Sequence, residues 1–124
     1  MQAFLLVGLG GAVGSMARYG VGRLVGVTGF PVATLVVNVV GSLLMGVLVG
    51  WLARTTPAWS EEARLLLATG VLGGFTTFST FSLDAITLIE RGEVAQASAY
   101  IALSLLLSLG ALVLGLWLMR GGFS

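Results

Sequence analysis

Residues Gly73 to Ser82 read GGFTTFSTFS, and they lie in the middle of an apolar run long enough to cross a bilayer. Inside hydrocarbon an unpaired backbone group costs several kcal/mol by order of magnitude. Irregular, hydroxyl-rich backbone therefore persists there only where protein or a polar pathway surrounds it. The stretch predicts a broken membrane helix with function at the break. Gly73 and Gly74 are the expected point of unwinding, because glycine tolerates the dihedrals that unwinding requires. Two half-helices would then meet near the bilayer midplane and expose carbonyl oxygens from Gly73 through Thr76, ligands suited to a hard cation. Phe78 and Phe81 lie three apart on the second half, flanking Ser79 and Thr80. Two readings of these rings stand side by side: ordinary packing against lipid or core, and electropositive ring edges lining an anion path.

The composition agrees with a membrane setting. Of 124 residues, 57% are hydrophobic and only 9% charged, against about 25% charged in a soluble domain. Four apolar stretches, residues 3–24, 32–53, 65–89 and 94–119, each meet the roughly 20 residues that a 30 Å hydrocarbon core demands. The expected fold is thus an all-α integral membrane protein, one domain of four transmembrane helices with the third broken near its middle. Turn-rich residues 26–31, the Pro57 link and a short charged hairpin around Gly92 connect the spans. No basic residue precedes the first apolar stretch, so a cleaved signal peptide is not expected.

Charge and residue type exclude several functions. The chain has no histidine and no cysteine, which removes thiol nucleophiles, zinc clusters and most acid–base catalysis; an enzyme is not expected. A net charge of +1 offers no footprint for nucleic acid. The six basic residues are all arginine. Four spans put Arg54, Arg64 and Arg120 on one side and Arg18, Arg23 and Arg91 on the other, which gives no positive-inside bias. A weak case of the rule would give that count. We read it instead as dual insertion, with assembly into an antiparallel homodimer.

Polar residues run along two of the helices. Thr34, Asn38, Ser42, Gly46 and Gly50 recur every four residues in the second span. Ser42, Gly46 and Gly50 are read as a seam for close helix packing. Asn38, about 10 Å into the apolar phase, must be hydrogen-bonded, and its donors suit an anion as well as another helix's carbonyls. In the last span Tyr100, Ser104 and Ser108 repeat the spacing. Back-bonding to the carbonyl four residues earlier would account for any one serine, but not for their alignment. Aligned hydroxyls offer donors to a dehydrated ion without a fixed charge. Arg18 and Asp84, near the ends of their spans, are expected as snorkelling or paired charges, Arg18 in a structural role.

Three segments, GGAVGSMARY at Gly10–Tyr19, TLVVNVVGSLLMG at Thr34–Gly46 and GVLGGFTTFSTFSLD at Gly70–Asp84, together resemble the Fluc (CrcB) family of small bacterial fluoride channels. The resemblance covers nearly the whole chain. It implies an antiparallel dual-topology homodimer in the bacterial inner membrane, with two fluoride pathways and a structural sodium ion (Na+) at the centre of the interface. It also implies that the carbonyls of Gly73 and Thr76 ligate the sodium, and that Asn38, Phe78, Phe81 and Thr80 line the pore, with Ser79 beside them. Tyr100, Ser104 and Ser108 match the family's polar track, while Leu112, the next rung, carries no hydroxyl. The nearest rival is a small dual-topology multidrug exporter coupled to protons. It needs a membrane-embedded carboxylate, and the first two spans contain none. A non-conducting assembly subunit would leave the aligned hydroxyls and the broken helix without purpose.

Overall fold

The computed structural model describes residues 1–26 and 29–120, and every regular element among them is helical. The elements are α1 (Gln2–Val25), α2 (Val32–Thr55), α3 (Ser60–Ala63), a π-helical segment (Arg64–Leu72), α4 (Gly73–Phe75), α5 (Phe78–Glu90) and α6 (Val94–Met119). Four stretches are long and apolar enough to cross a membrane: Gln2–Val25, Val32–Thr55, Ser60–Glu90 and Val94–Met119. They match the four expected spans. The third, at 31 residues, is the longest because α3 and the π-helical segment extend it before the break. Turn chemistry ends the helices: Gly92 takes a φ of 80° after α5, where its N–H bonds to the Ile89 carbonyl at 2.9 Å.

Two glycine seams assemble the bundle. On α1, a Cβ at Gly10 would meet the Leu66 carbonyl oxygen, and one at Gly14 the Val71 carbonyl oxygen; a Cβ at Gly74 would in turn come within 2.6 Å of the Gly11 oxygen. The first and third spans therefore touch backbone to backbone. The second seam joins α2 to α6, where Gly46 faces the Leu112 carbonyl and Gly115 the Leu43 carbonyl. Gly46 and Gly50 pack as the sequence predicts. At the end of this seam Arg54 Nη1 donates to the Met119 carbonyl at 3.2 Å. That bond puts the last turns of α2 and α6 at one end of the bundle, together with Arg54 and Arg120.

The position of the break corrects the sequence reading. Gly73 remains helical, with φ −62° and ψ −38°. The chain leaves the helix at Thr76 (φ −80°, ψ 157°) and Thr77 (φ −152°, ψ 124°), then re-enters it as α5. The glycines were expected to unwind because they can; they stay wound because Gly74 is used for close approach to α1. The unwound residues are instead two threonines: Thr76 still gives its N–H to the Leu72 carbonyl at 3.0 Å, and the Thr77 side chain takes the place of a lost helical acceptor. Thr76 Oγ1 donates to the Leu72 carbonyl at 2.9 Å, and Thr77 Oγ1 caps α5 by accepting from the Thr80 N–H at 3.2 Å.

Candidate functional site

Asn38 holds the break open. Its Oδ1 accepts from the Thr77 N–H at 2.8 Å and its Nδ2 donates to the Thr77 carbonyl at 3.0 Å, so one carboxamide clamps one residue's backbone at two points. This arrangement fixes which amide atom is which. It also spends only one of the two Nδ2 hydrogens. The sequence left Asn38 open between a structural and a pathway role; it performs the first here and keeps a donor for the second.

Beside the clamp lies a groove of about 310 Å³ between α2, the break and α6. Its α2 wall is Asn38, Gly41, Ser42 and Met45; its α6 wall is Ser104, Leu105, Ser108, Leu109 and Leu112; Thr76, Thr77, Phe78 and Phe81 close one end. The hydroxyl oxygens of Ser104 and Ser108 are buried there without a hydrogen-bond partner. Buried hydroxyls normally find partners, so this unpaired pair leaves two donors available on one wall. Beyond Ser108 the α6 wall continues with Leu112, so the hydroxyl track stops at Ser108 in this groove.

The aromatic residues form a chain leading away from the groove. Phe78 and Phe81 lie 5.5 Å apart between ring centroids, Phe81 and Tyr100 5.2 Å, and Phe30 meets Tyr100 edge-on at 5.6 Å. Phe78 is 75% exposed, whereas Phe81 is buried with Ala85, Leu88, Ala97 and Tyr100. The two phenylalanines therefore occupy different environments, one facing outward and one inward, although both line the groove.

Tyr100 is separated from its two serines. Its hydroxyl donates to Asp84 Oδ2 at 3.2 Å, and Thr34 Oγ1 donates to the same oxygen at 2.7 Å. The reason is helical geometry: a four-residue step overshoots a turn by about 40°. Residues in register at Ser104 and Ser108 have drifted toward α5 by Tyr100. The same drift on α2 turns Thr34 to Asp84, Asn38 and Ser42 to the groove, and Gly46 to the α6 backbone. Ser42, expected in the packing seam, is thus a groove residue.

Thr80 and Arg18 line a second, smaller cavity of about 150 Å³, with Gly22, Ala33, Thr34, Val37 and Thr77. Arg18 Nε is buried there without a partner. Ser79 is exposed beside the break and pairs with Thr77 Oγ1 at 3.2 Å. The sequence reading missed Thr77, although a threonine followed by a helical run is a standard N-cap signal. It had no means of finding Gly41 or Met45, which carry no chemistry of their own.

Among the described residues no cluster of His, Cys, Asp or Glu could hold a metal ion. A cation at the break would have to be held by carbonyls, and those of Gly73 and Thr76 are among the ones the break releases. The Thr77 N–H, which in an unbroken helix would bond to the Gly73 carbonyl, goes to Asn38. The Thr80 N–H, due to the Thr76 carbonyl, goes to Thr77 Oγ1. Gly73 and Thr76 thus each lose the donor a continuous helix would supply, and hard carbonyl oxygens fit a sodium ion.

Against known proteins, residues 5–116 match the family model described as CrcB-like protein, Camphor Resistance (CrcB). The chain belongs to the CrcB family. It is 53% identical to the fluoride-specific ion channel FluC of Hyphomonas neptunium, with all of both chains covered. It is 56% identical to that of Rhizobium etli over 97% of each chain. It is 50% identical to that of Erythrobacter litoralis, covering 97% of this chain and 93% of the relative. These relatives are named as ion channels, and the family is not enzymatic. Four spanning helices make this chain a multi-pass membrane protein.

Proposed function

We propose that the chain is a fluoride-selective ion channel that passively exports fluoride from the cytoplasm and protects the cell from fluoride toxicity. The observation that carries this reading is the pair of buried, unpartnered hydroxyls of Ser104 and Ser108 in a groove shared with Asn38, Phe78 and Phe81. Fluoride is small, hard and strongly hydrated, so a pore must replace its water with dense donors. Hydroxyls, an amide N–H and aromatic ring edges supply these without a cation that would hold the ion. Fluoride enters a cell as neutral HF from acidic surroundings and is trapped as the anion, so passive release suffices.

The working unit in this proposal is an antiparallel, dual-topology homodimer in the inner membrane, with two pores. The break supports it: Gly73 and Ser79 are exposed, and Phe78 largely so, in a segment that would lie within hydrocarbon. Such backbone needs a protein cover, and a second copy would supply it. The carbonyls of Gly73 and Thr76, with their counterparts, would hold a structural sodium ion that ties the two breaks together. Asn38, Thr80, Phe78 and Phe81 would line the fluoride path with Ser79, Ser104 and Ser108, and Tyr100 would stand at its end against Asp84.

The test is fluoride efflux from liposomes holding the purified protein, with valinomycin carrying compensating potassium and chloride as control anion. Fast fluoride release with negligible chloride leak is expected. Silence from verified, folded protein would overturn the channel reading.

A further inference from the structure

We propose that Ser42 is a fluoride-contacting donor of the pathway on its α2 wall, making the hydrogen-bonding track two-sided; this rests on the fluoride-channel reading above. Asn38, Gly41, Ser42 and Met45 all line the groove, and their i, i+3, i+4, i+7 spacing defines a single face of α2. Ser42 sits one turn beyond the Asn38 clamp on that face. Across from it stand Ser104, which is 5% exposed, and Ser108, both with unpartnered hydroxyls.

The hydroxyl of Ser42 is uncommitted. Thr55, Thr76 and Ser82 each donate to the carbonyl four residues earlier, at 2.8, 2.9 and 3.0 Å, which is how an isolated hydroxyl on a membrane helix satisfies itself. Among the described residues Ser42 makes no such bond and no other side-chain hydrogen bond, as is also true of Ser104 and Ser108. Three hydroxyls that make no bond to their own helices, those of Ser42, Ser104 and Ser108, line this one groove. A packing role would need only a small side chain, and Gly41 and Gly46 already provide that contact: a Cβ at Gly41 would strike Thr76 Cγ2 and one at Gly46 the Leu112 carbonyl. Ser42 faces the open space instead. An anion passing Ser104 and Ser108 along α6 would then be solvated from α2 as well, and the donors on two walls would replace more of its hydration shell than one wall can.

The test compares fluoride efflux from liposomes holding the full-length protein and its Ser42→Ala, Ser42→Thr and Ser42→Val variants. Ser42→Ala is expected to slow efflux about tenfold, the scale of one lost hydrogen bond to a charged group. Ser42→Thr is expected to outrun Ser42→Val by a similar factor, since those two side chains share a shape and differ in the hydroxyl. Efflux at the wild-type rate in Ser42→Ala, or equal rates in the Thr and Val variants, would overturn the assignment and return Ser42 to packing. If Ser42→Ala does not assemble, the Thr and Val pair decides. A silent wild-type protein would instead sink the channel reading on which the assignment stands.

Discussion

Asn38 holds the break through its two bonds to Thr77, and in the proposed channel it also faces the fluoride path. Replacing it with alanine removes both bonds to Thr77 and leaves a half-buried N–H and C=O without partners. The expected loss is about 2–4 kcal/mol of stability, read as a lower unfolding temperature in detergent, together with lost fluoride flux. Phe81 separates the two roles more cleanly. Phe81→Ile removes the ring edge while keeping much of the volume, and the pocket formed with Ala85, Leu88 and Tyr100 can take up the change at about 1–2 kcal/mol. Folded protein with slowed fluoride efflux is the expected result; normal efflux would remove Phe81 from the path. A residue's identity made both positions visible in sequence, since an amide in mid-span and paired rings beside a break stand out. Which atoms they engage was not visible, because the partners lie 39 residues away for Asn38 and depend on how helices rotate.

At the scale of elements, close approach between helices decides where the third span breaks. On α1, Gly14 would place a Cβ against the Val71 carbonyl, while a Cβ at Gly8 would meet nothing within 4 Å. Gly14→Ala should therefore push the first and third spans apart and lower thermal stability in detergent markedly. Gly8→Ala should raise it by up to about 1 kcal/mol, because alanine is otherwise the better helix former. Equal behaviour of the two variants would mean that the seam does not hold the bundle. The four spans were legible in the sequence from apolar length alone, and the interruption from its hydroxyls. Its location was misread by three residues, from Gly73 to Thr76, because glycine permits both unwinding and tight packing and composition does not distinguish them. The four-residue polar stripes were legible as faces, but their drift of about 40° per step sends Thr34 and Tyr100 to Asp84 and leaves Asn38, Ser42, Ser104 and Ser108 on the groove.

For the whole molecule, the charge distribution bears on how copies insert. The Arg54 bond to the Met119 carbonyl puts the ends of α2 and α6 together, so Arg54, Arg64 and Arg120 share one end and Arg18, Arg23 and Arg91 the other. Trp51, Trp59 and Trp117 also gather at the first end, with Trp51 and Trp59 5.7 Å apart; interfacial tryptophan anchors a chain at either leaflet and sets no orientation. With three arginines against three, a small added bias should decide the matter. Two lysines introduced between α2 and α3, at Thr56 and Ala58, should drive that end to the cytoplasm, and two introduced at Glu90 and Glu93 should drive the opposite end there. If the working unit is an antiparallel pair, each biased variant expressed alone should give little protection against fluoride, since like-oriented copies cannot place their breaks face to face. Expressed together they should restore it, and cysteine labelling from each side should report opposite orientations for the two. Full protection from either variant alone, with its orientation verified as uniform, would rule out the antiparallel assembly and leave a channel built from copies that all face one way.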